Sequence, residues 1–168
     1  MLEEVIILII NKEEVLLGEA IKEEGFSFGK INGYGGKREP PESLQECAVR
    51  EVYEESKLEV KQEDLENFGF IDFHFKNKPS WSRRVHYYLL EYEKLGGQQP
   101  QQTKEMKPFW INKNNLPYSR MWPADEHYFK DLLERKRVEA VCTYTGDNKQ
   151  QQKLEIVFTL PEKKTITA

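Results

Sequence analysis

Residues 36–58, GKREPPESLQECAVREVYEESKL, constrain this chain most, because they specify a helix with an unusual acidic surface. Ser43 and Glu46 have the S-x-x-E spacing of a capping box, which predicts a helix starting there. Pro40 and Pro41 stand just ahead of it, where a missing N–H costs little. At roughly 100° per residue, Glu51 and Glu55 lie one turn apart on one face, and Glu54 flanks them. Leu44 and Ala48 point the same way, so part of the acidic row is expected against the protein body.

Two readings of that row compete. A solvated, ion-paired face suits Glu46, Arg50 and Glu54, which alternate in sign at i, i+4. It suits Glu51, Glu55 and Glu59 poorly, because each like-charge pair at that spacing costs about 0.2–0.5 kcal/mol. Part-burial adds a desolvation cost or raises the pKa values. A bound divalent cation would remove both problems, since hard cations such as Mg²⁺ take carboxylate oxygens. On spacing alone the two readings stand even.

Gly36, Glu42 and the run Arg50-Glu51-Val52-Tyr53-Glu54-Glu55-Ser56-Lys57-Leu58 resemble the Nudix box, and within that superfamily the mammalian-type 8-oxo-dGTP diphosphatases. One position departs: Lys57 stands where the family usually has Gly. A non-Gly residue in a left-handed turn costs on the order of 1–2 kcal/mol. The departure bears on how the helix ends and leaves the carboxylates untouched.

At 168 residues the chain suits one domain with a substantial core, residues 1–168, of which 161–168 are expected as a loose tail. Charged residues make up 32% and hydrophobic ones 38%, with no apolar run long enough for a membrane helix. Residues 6–10 are too short for a signal-peptide core, so cytoplasm is the expected compartment. The net charge of −4, without a basic face, argues against a nucleic-acid polymer as partner. Cys47 and Cys142 show no metal-site spacing.

Runs at 4–10 and 13–20 predict a hairpin across Asn11-Lys12. A Gly- and Phe-rich loop over 21–29 follows. Strands are expected over 65–75, 84–93 and 106–112, and a second amphipathic helix over 125–137. Residues 94–103, with GGQQPQQ, read as a flexible link, and a final strand pair, 140–145 and 154–160, as joined across 146–153. This order suggests an α/β protein with a mixed sheet between helices. The resemblance, which covers about residues 5–160, implies the Nudix fold, an α/β/α sandwich.

The resemblance also implies a site. Metal ligands carried over by position are the Gly36 carbonyl, Glu51, Glu54 and Glu55, with Glu105 as a further ligand or auxiliary base. Glu51 is the leading candidate for aiming or deprotonating the attacking water. Mg²⁺ is the expected cofactor, with Mn²⁺ as a substitute. Glu42 and Arg50 are expected to hold the loop against the helix. On residue type alone Glu105 is an ordinary surface acid.

Met121-Trp122-Pro123-Ala124-Asp125 matches a family segment that binds the base, where the relatives have Asp in place of Ala124. Trp122 can stack on a purine and Asp125 can accept from its edge, although an acid just after Pro also suits a helix start. Asn32 offers both a donor and an acceptor, with a turn role before Gly33 as the plain alternative. Phe26 and Phe73 match pocket aromatics. Val5 falls where the relatives have Thr, and Arg83 stands near a residue covering the base.

The implied function is a metal-dependent pyrophosphohydrolase converting 8-oxo-dGTP to 8-oxo-dGMP and pyrophosphate, in nucleotide-pool sanitation, with a narrower, guanine-leaning preference because of Ala124. A purine nucleoside triphosphate is the expected partner, and a monomer the expected state, with a dimer as the alternative. The alternatives are dGTP itself, another modified nucleotide or a dinucleotide as substrate. A non-catalytic nucleotide-binding module is disfavoured because Glu51, Glu54 and Glu55 all survive.

Overall fold

The hairpin expected at the start of the chain forms, and its first strand, built on a continuous apolar run, is the centre of the molecule. The structure, a computed structural model, describes residues 1–146 and 153–168. Along the chain run β1 (Leu2–Asn11), β2 (Glu14–Ala20), β3 (Ile31–Asn32), β4 (Tyr34–Lys37), α1 (Leu44–Ser56), β5 (Glu66–Phe75) and β6 (Arg83–Glu91). Then follow β7 (Met106–Asn112), α2 (Phe129–Leu133), β8 (Val138–Thr145), β9 (Lys153–Leu160) and β10 (Lys164–Thr167).

The strands form a mixed sheet in the order β10-β9-β8-β5-β6-β1-β2-β3, with β4 also on β1 and β7 also on β2. The pairs β1–β6 and β5–β8 are parallel, and the rest are antiparallel. Successive side chains of a strand point to opposite faces, and β1 is buried on both. Val5, Ile7 and Ile9 pack with Cys47, Ala48 and Val52 of α1. Leu8 and Ile10 pack on the other side with Phe129, Leu132 and Leu133 of α2. The result is an α/β/α arrangement, as expected.

The β5 strand carries a bulge between Asn67 and Phe70, where the Asn67 side chain accepts the Gly69 N–H at 3.1 Å. The extra residue changes the alternation. Phe68, Ile71, Phe73 and Phe75 join the α2-side core, whereas Phe70 lies against Arg84 and His86.

Three expectations need correction. Residues 161–168 are not a loose tail: Lys164–Thr167 is a strand antiparallel to β9. The second helix is much shorter than 125–137. Asp125–His127 is a single 3₁₀ turn, Tyr128 has an extended φ of −144°, and only Phe129–Leu133 is α-helical. The break falls at Tyr128, whose hydroxyl donates to the buried Asp125 carboxylate at 2.6 Å. The link over 94–103 is tied down. Gln98 exchanges side-chain hydrogen bonds with both backbone groups of Glu59, at 2.8 and 3.0 Å, and the Gln101 N–H donates to Ser56 at 2.9 Å. Most of the connection between β8 and β9 falls on residues 147–152, outside the described residues.

Candidate active site

Helix α1 begins as its sequence dictates: Ser43 Oγ accepts the Glu46 N–H at 3.1 Å, and Glu46 accepts the Ser43 N–H at 2.7 Å. It ends on Lys57, which takes the left-handed conformation (φ 64°) that the missing glycine would have eased. Between these ends, Glu51 and Glu55 are buried, at 9% and 8% exposure.

Glu55 Oε2 accepts the Gly35 N–H at 2.9 Å. Glu51 is pressed against the backbone of β4: a Cβ added to Gly36 would lie 2.6 Å from its carboxyl carbon. The glycine is what makes room for the carboxylate. Burial pushes both acids above the ordinary carboxylate range, most strongly Glu55. Arg50 opposes the shift at Glu51 and the Gly35 N–H opposes it at Glu55, while Glu54 and Glu105 reinforce both.

Arg50 organises the outer part of the helix. It grips Glu42 with two nitrogens, at 3.0 and 2.7 Å, and donates to the Lys37 carbonyl at 3.1 Å. It also reaches Glu51 at 2.8 Å and Glu54 at 3.3 Å. The pair with Arg50 holds Glu42 down to about 2. Glu42 and Arg50 thus clamp the loop to the helix, as the sequence suggested. Glu54 is half exposed, and Glu105 lies 3.8 Å from the exposed Lys22 ammonium.

Among the described residues, no group of three or more His, Cys, Asp or Glu side chains stands ready to hold a metal ion. The acids are instead held by Arg50, Lys22 and a backbone N–H. The donor set nevertheless fits a hard cation. The charges of Glu54 and Glu105 raise the proton affinity of Glu51 and Glu55, Glu51 adds to the effect on Glu55, and a divalent ion would relieve that repulsion.

A cavity of about 300 Å³ opens beside this cluster. Gly36, Glu55 and Glu105 line one part of it, and Phe26, Asn32, Phe73, Trp122 and Asp125 line the rest. The expected ligand and base-binding residues therefore share one cleft, with Glu51 just behind Gly36 and Glu54 outside the lining. Phe26 stacks on Trp122 (centroids 5.1 Å, planes 19° apart) and meets Trp81 edge-on at 4.9 Å. The Arg83 guanidinium lies 4.9 Å from the Phe26 ring centre and also pairs with Glu4. Asn32 lies in β3, paired with Gly18 of β2, rather than in a turn, and its Oδ1 accepts the Gly33 N–H at 2.8 Å.

Asp125 is almost completely buried, at 2% exposure. Its Oδ2 accepts the Trp122 N–H at 3.0 Å and its Oδ1 the Tyr128 hydroxyl at 2.6 Å. It caps no helix. Ala124 is fully buried, and its N–H donates to the Tyr144 hydroxyl at 3.3 Å. Val5 packs on the α1 side and does not line the cavity. The sequence reading missed Glu4, Lys30, Tyr87, Tyr128 and Tyr144, all in the cavity wall. Only the strand parity that Tyr87 shares with Val85 hinted at any of them.

The NUDIX domain model matches residues 2–132. The chain belongs to the Nudix family. It is a Nudix hydrolase, a class that generally uses divalent metal ions and acts on nucleotide substrates. It is 34% identical over 132 residues to an oxidized purine nucleoside triphosphate hydrolase of Mus musculus, covering 79% of this chain and 80% of that protein. A protein of the same name from Danio rerio is 33% identical over 141 residues, covering 84% and 85%. Among solved structures, a MutT protein from Bacillus halodurans superposes with a TM-score of 0.68 at 21% identity, covering 92% of this chain and 97% of that one. The E. coli ORF135 protein reaches 0.60 at 20% identity, covering 80% and 89%. No helix among the described residues is long and apolar enough to cross a membrane.

Proposed function

We propose that this Nudix hydrolase is a divalent-metal-dependent pyrophosphohydrolase of oxidised purine nucleoside triphosphates, taking 8-oxo-dGTP to 8-oxo-dGMP and pyrophosphate. The observation that carries the reading is the shared cleft. An aromatic and amide-lined part suits a purine, and a carboxylate part suits a metal-bound polyphosphate. The names of the mouse and zebrafish relatives support the same substrate class.

The Gly36 carbonyl, Glu51, Glu54, Glu55 and Glu105 would hold the ion, Mg²⁺ or Mn²⁺ in its place. Bound there, it would lower the pKa of a water and neutralise phosphate charge. The protein's own groups do the rest. Glu51, held by Arg50 and Gly36, is fixed in place to orient a water. Trp122 offers a stacking face worth about 1–3 kcal/mol. Asp125 and the Asn32 amide meet the edge of the base.

The test is pyrophosphate release from 8-oxo-dGTP, dGTP and oxidised dATP with Mg²⁺, ranked by kcat/KM. The expected order puts 8-oxo-dGTP first, and Glu55→Gln abolishes release. Turnover that survives chelation of the metal would overturn the reading.

A further inference from the structure

Beneath the base-binding part of the cleft runs a chain of buried hydroxyls. Tyr128 gives its single hydroxyl proton to Asp125 Oδ1 at 2.6 Å, and its oxygen stands 2.7 Å from the hydroxyl of Tyr87. Tyr128 and Tyr87 are 2% and 3% exposed, and both line the cavity with Asp125. A hydroxyl has one proton to give. With that of Tyr128 committed to Asp125, Tyr87 donates to Tyr128, and the chain points at the carboxylate.

Each carboxylate oxygen has about two acceptor positions. The protein fills one on each: Tyr128 on Oδ1 and the Trp122 N–H on Oδ2. What remains is offered to a ligand. A proton arriving on Asp125 is directed to one of the remaining positions, because the other two already receive donors. Ionised Asp125 accepts from an edge carrying N–H groups, such as guanine N1–H and N2–H. Protonated Asp125 donates to a bare ring nitrogen, such as adenine N1.

We propose that Tyr128, supported by Tyr87, is a specificity-determining positioning residue that sets whether Asp125 meets the bound purine as acceptor or as donor. The inference rests on the purine-nucleotide reading above and extends it to discrimination between guanine and adenine edges.

The surroundings of Asp125 leave that balance to few groups. Lys30, ahead of β3, is the cation whose charge reaches it. Tyr118, and Cys142 and Tyr144 on β8, face it as neutral groups whose own ionisation is pushed up by burial, Cys142 to about 12. Burial raises Asp125 itself to about 6, against the opposing pull of Tyr128, the Trp122 N–H and Lys30.

The experiment has two arms on the full chain. In the first, the Asp125 carboxyl is titrated by ¹³C NMR in the ligand-free wild type and in the Tyr128→Phe and Tyr87→Phe variants. Loss of a hydrogen bond to the charged form is expected to raise the midpoint by about one pH unit in Tyr128→Phe, a tenfold change in proton affinity. Tyr87→Phe should move it the same way by less. In the second, kcat/KM for 8-oxo-dGTP and 8-oxo-dATP is followed against pH. Tyr128→Phe should move the acid limb for 8-oxo-dGTP upward with the NMR midpoint and raise relative use of 8-oxo-dATP several-fold at neutral pH. A midpoint unmoved in both variants, or in Tyr87→Phe alone where Tyr128→Phe does not fold, overturns the proposal. A shifted midpoint with an unchanged ratio of the two substrates overturns the specificity role. If the wild type hydrolyses no purine nucleotide, the function proposed above fails, and the specificity role fails with it.

Discussion

Gly36 and Glu51 are in contact so close that a single methyl group would collide: a Cβ on Gly36 would stand 2.6 Å from the Glu51 carboxyl. The atom it would strike is the far end of a side chain, so Glu51 can swing away. Doing so breaks its bond with Arg50. Gly36→Ala should therefore cost little stability, about 1 kcal/mol, and reduce kcat at least about tenfold. Thermal melts and pyrophosphate assays on one preparation check this, and an undiminished kcat would show that activity does not need Glu51 where it lies.

Glu55 gives a pH prediction whose sign follows from its burial. Its native pKa lies well above the ordinary value, so the folded state binds the proton more readily than the unfolded one. Stability of the metal-free protein is then greatest once Glu55 is protonated and falls as pH rises through its raised titration range. Glu55→Gln should flatten that slope and raise the melting temperature on the alkaline side, in chelator, while abolishing hydrolysis. Melts across pH on both proteins decide it.

Lys57 holds a backbone conformation that favours glycine, at φ 64°. Lys57→Gly should stabilise the fold by on the order of 1 kcal/mol, a rise in Tm of about 2–4 °C for a domain of this size. The gain is tempered because the Lys57 ammonium, 5.0 Å from the Tyr53 ring centre, is lost. A lower Tm would mean that this contact outweighs the strain.

Trp122 should govern binding more than chemistry. Trp122→Ala is expected to raise KM for 8-oxo-dGTP about five- to 150-fold, with a smaller change in kcat. Phe26 already stacks on Trp122, so nucleotide binding should also alter Trp122 fluorescence, and less so in Phe26→Ala. Steady-state kinetics and a fluorescence titration test the two parts separately.

Much of the acidic half of the site was legible in the sequence because its determinants are local. The Ser43–Glu46 box, the one-turn spacing of Glu51 and Glu55, and the adjacent glycines lie within a short stretch. The strand Lys164–Thr167 was not legible, because its exposed threonines carry no core pattern and its partner β9 supplies the reason to pair. The second helix was overestimated for a related reason. The pattern of Phe129, Leu132 and Leu133 is genuine, but upstream the backbone leaves helical geometry at Tyr128, which the apolar spacing does not encode. The tyrosine chain joins positions 87, 125 and 128 across the fold, and a linear reading has no means of pairing them.

The first strand acts as a partition between two rooms. Val5, Ile7 and Ile9 furnish the room that seats the carboxylate helix, while Glu4 and Ile6 face the one that would receive the nucleotide. With no spare thickness between them, a change of volume on either surface of β1 is transmitted to the other. Under the function proposed above, a substitution on β1 meant to adjust metal binding should therefore be expected to disturb base choice as well, and the reverse.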